Sequence, residues 1–203
     1  KEGMDVSGNV AIGKIPLGLS WRENFNNNGS FKRRFNLKSK IADMKQINEL
    51  DLNLNFESLT KTYLRGGVDA EVDFTILTDD KRHLQIKADL FDSELFAPAF
   101  GWSKKRSIPG EALITIDFEG DLISNIPTFS IDASDLKVIG KIGFEEGGGK
   151  LDQIDFQKIV YGRTDIKGTL TPREVDGWDA RFYGSSFELT PIWEDIFGKQ
   201  PEY

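Results

Sequence analysis

The sequence predicts an all-β fold, a large and mostly antiparallel sheet that curls on itself and carries short helical plugs. Apolar and polar residues alternate with a period of two along most of the chain, the pattern of strands with one apolar and one wet face. Turn-forming clusters interrupt that alternation at short intervals, among them Asn26-Asn27-Asn28-Gly29, Thr78-Asp79-Asp80 and Gly147-Gly148-Gly149, which favours antiparallel meander connections. Helical stretches are few and brief, so no helical layer is available to cover the sheet.

Taken in order, the alternation opens with Val6, Gly8, Val10 and Ile12 and continues with Phe31, Arg33, Phe35 and Leu37. Leu50, Leu52, Leu54 and Phe56 then alternate with Asp51, Asn53, Asn55 and Glu57, and Val72, Phe74 and Ile76 with Glu71, Asp73 and Thr75. Leu84, Ile86, Ala88 and Leu90 interleave with His83, Gln85, Lys87 and Asp89. The series resumes at Ala112 to Phe118, Phe129 to Ala133, Val138 to Phe144, Ile154 to Phe156, Ile166 to Leu170 and Trp178 to Phe182, so about a dozen strands are implied. Helical turns are expected only at 41–50, 93–100 and 191–197. Half of nearly every strand must therefore leave water with no helix to cover it, and the sheet must close as a barrel or sandwich or bend into a U-shaped trough. A packed β-sandwich, acting as a scaffold or carbohydrate-binding module, and a ligand-holding trough both satisfy the pattern.

The 203 residues are enough for one β unit that needs no staple. A single segment over 1–198 is expected, with a possible subdivision near 103–110 and a polar tail at 199–203. Cysteine is absent, which removes disulfides, thiolate metal sites and cysteine nucleophiles together. The net charge of −7, spread over interspersed acids and bases, makes the chain a poor nucleic-acid binder. No run approaches the 18 or so apolar residues of a membrane span. Lys1-Glu2-Gly3-Met4-Asp5 lacks the apolar core of a signal peptide, so any leader or anchor is expected outside these residues.

Weak internal repetition accompanies the strands. Leu19-Ser20-Trp21-Arg22-Glu23-Asn24-Phe25 echoes Pro191-Ile192-Trp193-Glu194-Asp195-Ile196-Phe197, and segments opening at Tyr63-Leu64-Arg65 and Tyr161-Gly162-Arg163 each run on to a proline and a Phe-Gly pair. Three stretches carry a resemblance: Ala97-Pro98-Ala99-Phe100-Gly101-Trp102-Ser103-Lys104 with Ile108-Pro109-Gly110; Phe129 through Ile142; and Tyr161 through Gly168, continuing to Gly177-Trp178 and Tyr183 through Pro191. In these the chain resembles the AsmA-like family of envelope proteins, of the YhdP and TamB type. It departs from the family pattern at Glu188, where Asp is usual. The resemblance implies one segment of a repeating β-groove in a periplasmic protein tethered to the inner membrane by an N-terminal helix. Such a groove would conduct phospholipids towards the outer membrane and serve outer-membrane homeostasis. The family brings no catalytic signature, so no enzyme activity and no cofactor are expected. Its implied partners are acyl chains and neighbouring groove segments of the same chain, with membrane contact only through parts outside these residues.

A lipid groove needs a continuous apolar lining with a wet rim for head groups. The expected lining is Leu52, Leu54, Phe56, Val72, Phe74, Ile76, Ile114, Ile116, Phe118, Ile131, Ile142, Phe144, Phe156 and Phe182, against the plain alternative that each is a core residue. Phe96, Phe100, Trp102, Trp193 and Phe197 are expected as plugs that bury against the apolar face. The four tryptophans could stack sugars, but at strand ends and in plugs they read as caps of the core. Lys32-Arg33-Arg34 and Lys104-Lys105-Arg106 could meet anionic head groups, or could be solvated turns and edges. His83 is the only histidine and falls on a polar phase, so a Ser-His-Asp triad or histidine metal site would rest on it alone. Gly147-Gly148-Gly149 reads as a hairpin tip and lacks the Lys-Ser/Thr of a phosphate loop.

Overall fold

The structure is a computed structural model that describes residues 2–26, 29–43, 46, 63–98 and 101–188. Strand accounts for 73% of them. Eleven strands form one antiparallel sheet in the order β1 (Gly3–Ile12), β2 (Ile15–Asn24), β3 (Phe31–Ile41), β5 (Val68–Leu77), β6 (Arg82–Asp89), β9 (Gly110–Glu119), β10 (Leu122–Ala133), β11 (Leu136–Phe144), β12 (Leu151–Tyr161), β13 (Thr164–Pro172) and β14 (Trp178–Ser186). A second sheet of three short strands runs β4 (Leu64–Gly66), β7 (Ser93–Ala97), β8 (Trp102–Lys104). The large sheet is not closed into a barrel. Ten successive right-handed steps of roughly 20–25° each make so wide a sheet coil, the curled form expected from the sequence.

Register explains how one face stays apolar. Gly8, Leu19, Leu37, Val72, Ile86, Ile114, Phe129, Gly140, Phe156, Gly168 and Phe182 are successive cross-strand partners, a single row that crosses all eleven strands. A one-residue slip at any pair would carry that strand's apolar set to the wet side. The row's second half alternates phenyl rings with glycines. Phe129 meets Phe156 edge-on at 5.8 Å, and Phe156 meets Phe182 at 6.0 Å. A Cβ on Gly140 would overlap the Phe129 ring and the Asp155 carbonyl, and one on Gly168 would overlap Phe182 and the Arg181 carbonyl. The glycines are there so that neighbouring rings can lie over bare backbone.

The opposite face is held by polar ladders and ion pairs. Asn36 donates to Glu71 and Asp73 at 2.9 and 2.8 Å, Lys38 pairs with Glu71 at 3.0 Å, and Arg22 pairs with Asp5 at 3.2 Å. β-Bulges in β3, β10, β12 and β14 keep the apolar phase across irregularities in pairing.

Burial is concentrated at one end of the sheet, called here the covered end. Val68, Leu90, Ala133, Ile159, Tyr161 and Ile166, all near strand termini there, form one buried cluster with Leu95 and Trp102 of the small sheet. Ile15, Leu17 and Ile41 are buried at the same end. Ala70, Ala88 and Ala112 are successive partners one row in, and these small side chains leave room for the small sheet to pack. The segment expected as a helical plug at 93–100 is strand over Ser93–Ala97 instead. Its Ser93-Leu95-Ala97 phase faces the core (Ser93 and Leu95 buried, Ala97 packed against it) and its backbone pairs with both Leu64–Gly66 and Trp102–Lys104, so period-two burial overrode the expectation of a turn of helix. The expected helical segment at 191–197 lies outside the described residues, as does the 199–203 tail; of 41–50 the described residues are 41–43 and 46, where the Gln46 N–H donates to the Asp43 carbonyl at 2.9 Å. Near 103–110 the large sheet runs on without a break, because β6 and β9 pair from Arg82↔Phe118 to Asp89↔Glu111.

The two kinds of glycine in the row make a matched test. Gly168→Ala should destabilise the protein by about 2–3 kcal/mol through overpacking, whereas Gly8→Ala, whose Cβ meets nothing within 4 Å, should change stability by less than about 0.5 kcal/mol. Urea unfolding of both variants checks the contrast.

Candidate functional site

The residues expected to line a groove fall on one face of the large sheet wherever they are described. Val72, Phe74 and Ile76 on β5, Ile114, Ile116 and Phe118 on β9, Ile131 on β10, Ile142 and Phe144 on β11, Phe156 on β12 and Phe182 on β14 all share the phase of the long row. Leu52, Leu54, Phe56, Phe100, Trp193 and Phe197 lie outside the described residues. The same face carries residues not singled out from the sequence as lining: Leu19, Trp21, Phe35, Leu37, Leu84, Ile86 and Leu170. The alternation that marked the others marks these as well. Trp21 stacks on Phe35 at 5.6 Å, and Phe35 on Phe74 at 6.3 Å, giving β2, β3 and β5 a continuous aromatic strip.

Away from the covered end this face is only partly shielded. Val72, Phe74, Ile76, Leu84, Ile86, Ile114 and Ile116 are half-buried, and among the described residues Ile126 is the one fully buried apolar side chain on this part of the face. The margins are barer. Every residue of β14 is exposed, and so is all of β1 but Gly3, with Ile12 at 46% and Trp178 at 48% of full exposure. The closed-sandwich alternative therefore does not describe this arrangement, since the second sheet packs at one end and not along the face.

Of the expected plugs, Trp102 is buried in the core cluster, and its indole N–H donates to Asp135 in the β10–β11 turn at 2.9 Å. That bond is the main reason the Asp135 carboxyl is held below its ordinary value. Phe96 is half-buried under the Arg65 guanidinium, 4.9 Å from its ring centre. Two of the tryptophans do not cap the core as expected. Trp21 lies within β2 on the apolar face, and Trp178 stands exposed on β14, the edge strand of the large sheet among the described residues.

Lys104 is the clearest departure from expectation. Read from the sequence as part of a basic cluster that either meets head groups or is a solvated turn or edge, it is 1% exposed. Its stem crosses Gly110, whose missing Cβ makes room for it, and its ammonium donates to the carbonyls of Leu90 at 2.6 Å, Ser93 at 2.8 Å and Lys105 at 3.2 Å. It thereby ties β8 to the loop between β6 and β7. The alternation of Trp102, Ser103 and Lys104 places Lys104 on the same side as Trp102, and that is the signal that would have located it. Burial pushes its pKa below the usual lysine value, with Asp89 and Asp92 opposing.

Recesses open on the polar face among the described residues. One, of about 790 Å³, runs over β3 to β11 near the covered end. Its outer row reads Lys40, Asp69, Asp89, Glu111, Asp132, Lys137, four acids side by side between two lysines. Like charges directly opposite one another cost stability, and the lysines offset this: Lys40 reaches Asp69 and Asp92 at 3.5 and 3.3 Å, and Lys137 reaches Asp132 at 2.6 Å. Among the described residues no group of three His, Asp or Glu is placed to hold a metal ion. Another recess, of about 470 Å³, contains His83, whose Nδ1 lies 2.7 Å from Asp117 Oδ1. Ser124, beside them, turns its hydroxyl to the Asp117 backbone carbonyl at 3.2 Å. No family model, curated protein or solved structure matches this chain.

Lys104 gives a pH signature with a definite sign. A lysine whose folded pKa is lowered has released its proton while the unfolded chain still holds one, so stability should rise with pH in the window just below 10.5. Lys104→Met should abolish that rise and cost about 2–4 kcal/mol at neutral pH, because the Leu90 and Ser93 carbonyls lose their donor. Urea unfolding across a pH series reads both effects.

Proposed function

We propose that this chain is a non-enzymatic, groove-forming segment that holds phospholipid acyl chains along the apolar face of its large sheet, in a periplasmic protein of the AsmA-like type that passes lipids between the inner and outer membranes. The observation that carries the reading is the mismatch between the two ends of that face. At the covered end a second sheet and a buried cluster take the apolar side chains out of water. Over the rest of the face the same apolar phase continues up to its last row with nothing packed across it among the described strands.

Acyl chains suit such a surface for a simple reason. Each methylene removed from water contributes about 0.8 kcal/mol, and an apolar face of this kind asks for no particular hydrogen-bond geometry. Binding along it would be tight in sum and loose in position, as a conduit requires. Among the described strands β1 and β14 are the edges of the large sheet, and adjoining β segments pairing there would extend the face in both directions, in keeping with a repeated groove.

Phe74→Asp and Ile116→Asp test the proposal. Each position is half-buried on the open part of the face, so the new carboxylate reaches water and the fold should survive. Each variant should melt as a folded protein while the phospholipid recovered with it, measured by mass spectrometry of a solvent extract, falls several-fold from the parent's. Unfolding of both variants, together with a lipid-free parent, would point to a face that is an ordinary core.

A further inference from the structure

We infer that Arg33 and Arg82 form a phosphate-binding pair at the open lip of the apolar face, reading the phosphate of a lipid whose chains lie on the aromatic strip beside them. This rests on the proposed acyl-chain reading and adds to it a fixed position for the head group.

The argument starts from where charge is allowed on the apolar phase. Across the eleven strands, the positions in ladder register with that face carry charge at only three places, Glu23, Arg33 and Arg82. All three sit in the last row at the open end, where Glu23, Arg33, Ile76, Arg82 and Phe118 are successive partners. The rest of the lip does not share this character: β5, β9, β11 and β14 end the face on Ile76, Phe118, Phe144 and Trp178. Solvation alone would scatter charge along the whole rim, yet it is confined to one corner.

That corner adjoins the aromatic strip. One row further in, Trp21, Phe35, Phe74, Leu84 and Ile116 are successive partners. An amphiphile with its chains on these side chains would bring its first polar group level with the two guanidiniums. Arg33 and Arg82 flank Ile76 on the two strands beside it, so about 10 Å of backbone separates them, two strand spacings. Long, flexible side chains span such a gap to a shared phosphate, for which the guanidinium fork is suited.

The carboxylates at hand tune the pair without cancelling it. Glu23 is held by the Trp21 indole N–H at 3.2 Å and accepts from Arg33 Nε at 2.7 Å, which orients the fork while the Arg33 side chain stays 51% exposed. Arg82 meets Asp121 at 2.8 Å, but that aspartate side chain is 94% exposed, so solvent screens the bond and a phosphate can displace it. The neighbouring basic residues are engaged elsewhere: Lys32 pairs with Asp80, and Arg34 lies over the Phe31 ring at 4.3 Å.

The test measures binding of dioleoyl phosphatidylglycerol, of dioleoylglycerol with the same chains and no phosphate, and of inorganic phosphate to the intact protein and to the double variant Arg33→Gln, Arg82→Gln. The parent should prefer the phospholipid over dioleoylglycerol by roughly tenfold or more, the scale of a charge-assisted hydrogen bond. The variant should keep its dioleoylglycerol affinity and lose that preference, and inorganic phosphate at millimolar concentration should not compete. A variant that retains the preference overturns the inference while leaving the acyl-chain reading intact. Inorganic phosphate displacing the phospholipid overturns it as well, by showing a phosphate site that needs no chains. Failure of the parent to bind either lipid defeats the acyl-chain reading itself and the inference with it. A circular dichroism spectrum matching the parent's establishes that the variant is folded.

Discussion

An eleven-stranded sheet with one apolar face has to put that face somewhere, and among the described residues the means of covering it run out part-way. The three-stranded sheet covers one end, where Trp102, Leu95 and the stem of Lys104 fill the space left by Ala70, Ala88, Ala112 and Gly110. Beyond that row the apolar side chains grow larger and stay half-buried, as at Val72, Phe74, Ile86, Ile114 and Ile116. The row from Gly8 to Phe182 belongs to the large sheet alone. Most other features of the molecule answer to this imbalance. The ion-paired polar face keeps the opposite side wetted, the Phe-Gly alternation packs rings laterally along the face in place of a covering layer, and charge appears on the apolar phase only at its outermost corner.

Lateral packing has its own requirement. A ring that leans on the next strand needs backbone beneath it and no Cβ, which is why Gly140 and Gly168 stand between phenylalanines while Leu19, Leu37 and Val72 suffice where β-branched and aliphatic side chains meet directly. This arrangement fixes register without enclosing the face. Lys104 serves the covered end differently. A charge taken out of water is costly unless its hydrogen bonds are met, and three carbonyls meet them here, so the loop between β6 and β7 is held where the small sheet can pack.

Much of this was legible in the sequence, because period-two alternation is set by the backbone itself. Val72-Phe74-Ile76 and Ile114-Ile116-Phe118 could be assigned to one face from spacing alone, and the scarcity of helix implied a sheet without a helical cover. What spacing could not supply was pairing between distant segments. The alternation of Ser93, Leu95 and Ala97 is too short to separate a strand from a turn of helix, and only its partners at Leu64–Gly66 and Trp102–Lys104 decide the matter. Lys104 looked like one of three basic residues in a solvated turn, since burial of a lysine depends on carbonyls contributed from elsewhere in the chain. Arg33 and Arg82 were each visible, but that they share a row at the lip follows from the β3–β5–β6 register and from nothing local.

The central claim is that acyl chains occupy the uncovered part of the apolar face. Photocrosslinking with a phospholipid carrying a diazirine near the end of one acyl chain, followed by peptide mapping of the wild-type protein, tests it most directly. The account predicts adducts on residues in the phase of the long row on β2 to β9, among them Trp21, Phe35, Phe74 and Ile116. Adducts confined to the polar face, or none above the level given by a crosslinker without a lipid chain, would contradict it.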